Sequence, residues 1–160
     1  MMPFDTETEQ AVLSTLMHYN DKFFQYSDLM DVSMFYYERE KAIYRCIEGV
    51  INDGGITDAN SLYAYTQSHD VGYNLMRNDF VEIITYGSRI TLEQDIMRLR
   101  DMGRRRDCWR MLQLYSQAIL DMTNSLDGKM DELVSSISEI QRKINENDVS
   151  NMSDAIGDVR

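Results

Sequence analysis

Proline occurs once, at Pro3, and glycine only 8 times in 160 residues. These residues interrupt helices most readily, so little in the chain opposes long helical runs. Cysteine occurs twice, at Cys46 and Cys108, with no CxxC pair and no metal-ligand spacing. Two isolated thiols argue for a reducing compartment and against a disulfide-stapled fold. No apolar run approaches the ~18 residues that a membrane helix needs, and no basic stretch leads into an apolar one at the N-terminus. The expectation is a soluble, cytoplasmic, all-α protein with no membrane partner.

Catalytic signatures are equally scarce. There is no GxxxxGK(S/T) loop to cradle a nucleotide phosphate. His18 and His69, the only histidines, have no HExxH or ExxH neighbour, and no GxSxG marks a nucleophile. Carboxylates fall at expected caps and on polar faces. Catalytic, cofactor-binding and metal-ligating residues are therefore all expected to be none, and the chain reads as an assembly and docking module.

What is present is a core-forming 43% of hydrophobic residues and a net charge of −11. That charge argues against coating nucleic acid, which requires lysine and arginine to displace counterions. The sign is unevenly distributed. Residues 1–88 carry 5 basic and 14 acidic side chains, residues 89–110 carry 7 and 4, and residues 111–160 carry 4 and 9. The basic middle segment either balances charge within the molecule or meets an acidic partner.

Periodicity orders the chain into a globular helical head over 1–90 and a helical hairpin over 91–146, followed by a linker and the start of a linker helix over 147–160. Thr6 and Glu9 read as a capping box before a helix from about Asp5 to Tyr19. A short helix over Asp21–Met30 is expected to bury Phe23, Phe24 and Leu29. Ser33 is expected to cap a longer one with an apolar face of Tyr36, Ile43, Ile47, Val50 and Ile51, stopped by Asp53-Gly54-Gly55. Asp58 starts a helix carrying Leu62, and another contains Phe80, Val81, Ile83 and Ile84.

Thr91 and Gln94 then open a helix of about 33 residues, well above the globular mean. Leu92, Ile96, Leu99 and Met102 form its first seam. Cys108, Leu112, Tyr115, Ile119 and Met122 form a second, rotated one, with the switch at Gly103-Arg104-Arg105-Arg106. The first half is expected to pack on the head and the second to pair with a final helix beginning at Asp127. That helix carries Met130, Leu133, Ile137, Ile140 and Ile144 at spacings of 3 and 4, as in a coiled coil. Asn145–Asn151 is polar and linker-like.

The order of these features resembles the N-terminal domain of DnaB-type replicative DNA helicases. The matching stretches are Glu7-Thr8-Glu9-Gln10-Ala11-Val12-Leu13, then Phe35-Tyr36 with Ala42-Ile43-Tyr44 and Ile47, then Gly54-Gly55-Ile56-Thr57-Asp58, and Arg105-Arg106. The resemblance implies a collar domain of a ring-shaped hexamer that unwinds DNA with ATP. ATP and magnesium would then belong to a RecA-like motor domain absent from this sequence. It implies subunit pairing, a dimer building toward the hexamer, through Leu112, Tyr115, Ile119, Met122, Leu133, Ile137, Ile140 and Ile144. It also implies docking of a DnaG-type primase at Glu7, Phe80, Trp109 and Tyr115, a helicase loader as a further partner, and little direct nucleic-acid binding. Each seam residue is equally open to packing only within its own hairpin, and Trp109 to ordinary packing. A free-standing primosomal or helicase-loading adaptor is the alternative reading. A DNA-binding domain using Arg98–Arg110 is a third, opposed by the acidic remainder.

Overall fold

The computed structural model describes the backbone of residues 1–157 and the side chains of residues 1–142. Regular structure among the described residues is entirely helical, as the sparse proline and glycine predict. In chain order the helices are α1 (Thr6–His18), α2 (Asn20–Tyr26), α3 (Glu38–Asn52), α4 (Ala59–Ser68), α5 (Arg77–Thr85), α6 (Leu92–Leu120) and α7 (Leu126–Gly157). Two single 3-10 turns, Ser27–Leu29 and Val32–Met34, lie between α2 and α3. The chain divides into two compact units, Met1–Gly103 and Arg104–Arg160. The division falls inside α6, beyond the expected head boundary at residue 90, because Leu92, Ile96 and Leu99 are buried in the core of the first unit.

In the first unit, α1 is buried on nearly every side. Thr8, Glu9 and all residues from Ala11 to Met17 are buried, as expected of a helix at the centre of a core. Ala42, Ile43, Cys46 and Ile47 of α3, Leu62 of α4, and Phe80 and Ile83 of α5 pack in the same core. Thr15, a polar group carried inward with α1, is bonded on both sides. Thr15 Oγ1 donates to the Ala11 carbonyl at 2.7 Å and accepts from the Arg89 amide at 3.0 Å. Outside the core, Arg39 of α3 bonds Asp79 and Glu82 of α5 at 2.8 and 2.9 Å, tying the two helices together.

The helix ends depart from several expectations. Asp5, not Thr6, caps α1: its carboxylate accepts from the Thr8 amide at 3.1 Å and the Thr8 hydroxyl at 2.8 Å. Glu9, expected to reach back within that cap, instead accepts from the Tyr36 amide at 2.7 Å. Phe24 is 61% exposed although its neighbour Phe23 is buried. Consecutive residues on a helix point ~100° apart, so a single buried stripe on α2 accommodates only one of them. Ser33 does not cap α3. Asp31 caps the 3-10 turn around Ser33, and extended backbone at Phe35 and Tyr37 postpones the helix to Glu38.

Other signals hold. Gly54 adopts φ +77°, and the Gly54 and Gly55 amides return to the Ile51 and Val50 carbonyls at 2.9 and 2.8 Å to close α3. Asp58 caps α4 through the Ser61 amide at 2.8 Å. Gly103 does not break α6. A Cβ there would stand 2.7 Å from the Ser33 carbonyl oxygen, so the missing side chain lets α6 lie against the 3-10 turn. At the far end, α7 begins at Leu126, one residue before the expected Asp127, and Ser125 caps it, accepting from the Gly128 amide at 3.3 Å. α7 then continues through Asn145–Asn151, the stretch whose composition reads as linker, to Gly157.

Candidate assembly and docking surface

The second unit comprises the later turns of α6 and the whole of α7. On α6, Cys108, Met111, Tyr115 and Ala118 are half-buried at spacings of 3, 4 and 3. On α7, Lys129, Leu133, Ser136 and Ile140 are half-buried at spacings of 4, 3 and 4. These two columns face each other. The Tyr115 hydroxyl lies 3.2 Å from Ser136 Oγ, which fixes the antiparallel register of the pair.

The remaining apolar residues stay outside. Trp109, Leu112 and Ile119 are 52%, 54% and 40% exposed, and Leu126, Met130 and Ile137 are 54%, 49% and 38% exposed. Helical spacing puts the first three on one flank of the α6 column and the last three on the matching flank of the α7 column. The six form one apolar face. Along the opposite flank, Arg110, Met111, Leu114, Tyr115, Ser136 and Glu139 line a groove of about 380 Å³ with mixed polarity. The hairpin is therefore amphipathic across its width, with an uncovered apolar side.

The eight residues expected at the subunit seam thus separate. Tyr115, Leu133 and Ile140 pack within the hairpin, whereas Leu112, Ile119, Ile137 and the 95%-exposed Met122 point outward. The Ile144 side chain lies outside the described residues. Leu126, read as loop, was missed by sequence reasoning. Its position one helical turn before Met130 is the signal that places it on the same face.

The docking candidates also divide. Glu7 is an exposed side chain paired with Arg89 at 2.9 Å. Phe80 is 0% exposed and fills the head core, where it offers no surface to a partner. Trp109 stands on the exposed apolar face, so it is not an ordinary packed aromatic within the chain. Tyr115 is half-buried in the hairpin interior. In the basic segment, Arg89 and Arg98 pair with Glu7 and Asp5 of the head, as internal charge balancing predicts. Arg106 is not a surface charge. It is only 1% exposed, lying in register with the buried positions 92, 96, 99 and 103.

Charge and burial tune a few groups. Burial pushes the Asp5 carboxyl upward. The hydrogen bonds from the Thr8 amide and hydroxyl, together with Arg98, outweigh this and hold it below the usual carboxylate value. The Cys46 thiol is pushed up to about 12 by burial. Among the described residues, no group of three or more His, Cys, Asp or Glu side chains is placed to hold a metal ion.

Residues 1–88, the head as far as the turn before α6, match the family described as the DnaB-like helicase N terminal domain. The chain belongs to that family. The matched stretch contains the buried α1 and its Glu9–Tyr36 link, so the opening motif of the resemblance coincides with the centre of the head. The hairpin lies beyond the match. No curated protein matches this chain.

Proposed function

We propose that this chain is the N-terminal collar of a hexameric, ATP-dependent replicative DNA helicase, where it mediates subunit assembly and primase docking. Membership of the DnaB-like N-terminal family supports the parent activity. ATP and magnesium are assigned to a motor domain of the parent protein. No described helix is long and apolar enough to cross a membrane, and a cytoplasmic location accompanies the replication role.

The observation that carries the assembly reading is the uncovered face of Leu112, Ile119, Leu126, Met130 and Ile137, with Trp109 at its edge left outside the pairing. A second copy presenting the same face buries both. Each side chain starts about half-exposed and gains about 1 kcal/mol, on the order of 10 kcal/mol for a pair. The association cost is of the same size, so pairing of the isolated domain is concentration-dependent. The full ring adds contacts that this domain alone does not have.

Primase docking is assigned on the hairpin to Trp109, since an exposed tryptophan within an apolar patch is a typical interface anchor. Titrating the cognate primase into Trp109→Ala tests this. The expected result is at least about tenfold weaker binding, and an unchanged affinity removes Trp109 from the docking surface. Tyr115→Phe keeps its packing and is expected to leave docking unchanged.

The adaptor reading draws on one observation: the family match stops at residue 88 and leaves the hairpin outside it. Reading the source gene beyond the Arg160 codon separates the two. A phosphate-binding loop downstream supports the helicase collar, whereas a stop codon supports the adaptor.

A further inference from the structure

The head contains a pocket that neither the family match nor the assembly reading uses. It opens between α1, α2 and the turn leading into α6, with a volume of about 290 Å³. Its polar lining is Thr15, Lys22, Ser88 and Arg89, flanked by Tyr19 and Tyr26, with Leu92 buried beside them. Both charged lining residues are cations, in a head whose first 88 residues carry 14 acidic and 5 basic side chains.

The two cations are lightly engaged. Lys22 Nζ donates to the neutral Gln25 amide at 3.1 Å. Arg89 uses Nη2 toward Glu7 at 2.9 Å, and a guanidinium has five donors in all. The Arg89 backbone is fixed by its amide bond to Thr15, so the guanidinium is presented from an anchored position. Two cations, one of them on an anchored backbone, beside two tyrosine rings form a small recess for one negative charge attached to an apolar body. A polyanion is disfavoured, because nucleic-acid affinity needs many cations and the surrounding field is acidic.

We infer that this pocket docks a peptide segment of a partner protein bearing a carboxylate next to an aliphatic side chain. Lys22 and Arg89 take the carboxylate, and the rings of Tyr19 and Tyr26 take the aliphatic group. Glu7 competes for Arg89 and sets the affinity. The inference is independent of hairpin assembly.

The test is an amide-resolved NMR titration of the full chain with N-acetyl-aspartyl-leucine amide. The asparaginyl analogue and a short oligothymidine serve as comparisons. Saturable shifts at Thr15, Lys22, Ser88 and Arg89 are expected with the aspartyl probe. Binding should be about tenfold weaker for the asparaginyl probe, for Lys22→Gln and for Arg89→Gln, the size of one charge-assisted hydrogen bond. Glu7→Gln should bind more tightly than the parent chain. Unchanged circular dichroism confirms that each variant is folded, and Lys22, on the rim, provides the conservative one. Absence of saturable shifts, equal binding of both dipeptides, or tighter binding of oligothymidine overturns the proposal.

Discussion

The Glu9 carboxylate accepts a hydrogen bond from the Tyr36 backbone amide, 2.7 Å away, and Glu9 itself is 0% exposed. This contact joins the central helix to the extended segment that sets the start of α3. Glu9→Ala leaves a sequestered amide without its acceptor and is expected to cost about 2 kcal/mol of stability. Glu9→Gln keeps an acceptor oxygen and should cost less. Urea unfolding of the two variants checks this, and equal losses would show that the hydrogen bond is not what Glu9 provides.

Two glycines should respond to alanine with opposite signs. A Cβ at Gly103 would lie 2.7 Å from the Ser33 carbonyl oxygen and 3.4 Å from Met34 Cα, both backbone atoms that do not yield readily. Gly103→Ala should therefore destabilise by about 1–3 kcal/mol, despite the higher helix propensity of alanine. At Gly128 a Cβ meets only the Ser125 side chain, at 3.6 Å. Gly128→Ala should be neutral or stabilise by up to ~1 kcal/mol. Thermal melts of both variants decide the matter.

Much of this architecture was legible because helix existence follows from composition and period. All-α class, the glycine stop at Gly54, the Asp58 cap and the packing of the first α6 turns on the head were all readable. Cap identity was not. Asp5 and Thr6 are both good caps, and what separated them was the distant use of Glu9 by Tyr36, which spacing cannot reveal. The hairpin face was half-legible for a related reason. Apolar residues at 108, 111, 112, 115, 118, 119 and 122 make a stripe wider than one partner helix can cover. Period gives the stripe, while packing against α7 decides that Met111 and Ala118 turn inward and Leu112 and Ile119 stay outside.

Acid should weaken the helix starts. Hydrogen bonds from the Ser61 amide hold Asp58 below the ordinary carboxylate value of 3.8, and Asp5 is held below it despite its burial. A carboxyl with a folded-state pKa below its unfolded one stabilises fully above the unfolded value. That contribution is lost as pH falls through the folded value. Stability is thus expected to drop below about pH 4, and Asp5→Asn should flatten that drop while costing little near neutrality, since asparagine caps a helix about as well as aspartate. Denaturant midpoints across that range provide the check.

The two thiols should differ sharply toward a disulfide reagent. Cys46 is buried in the head core with its thiol pushed up to about 12, so almost no thiolate is present at neutral pH. Cys108 is half-buried in the hairpin interior. Rapid labelling of one thiol, lost in Cys108→Ser, is expected in the native chain. Labelling of both at equal rates would contradict the packing of α3.

The central claim is that the outward hairpin face drives self-association. Sedimentation equilibrium of the chain over a wide concentration range tests it most directly, alongside a Leu112→Glu, Ile137→Glu double variant. Both substitutions sit on exposed positions and should leave the helical spectrum unchanged. The account predicts a mass that rises with concentration for the parent chain and a monomer throughout for the variant. A parent chain that stays monomeric at the highest concentrations, or a variant that associates equally well, would contradict it.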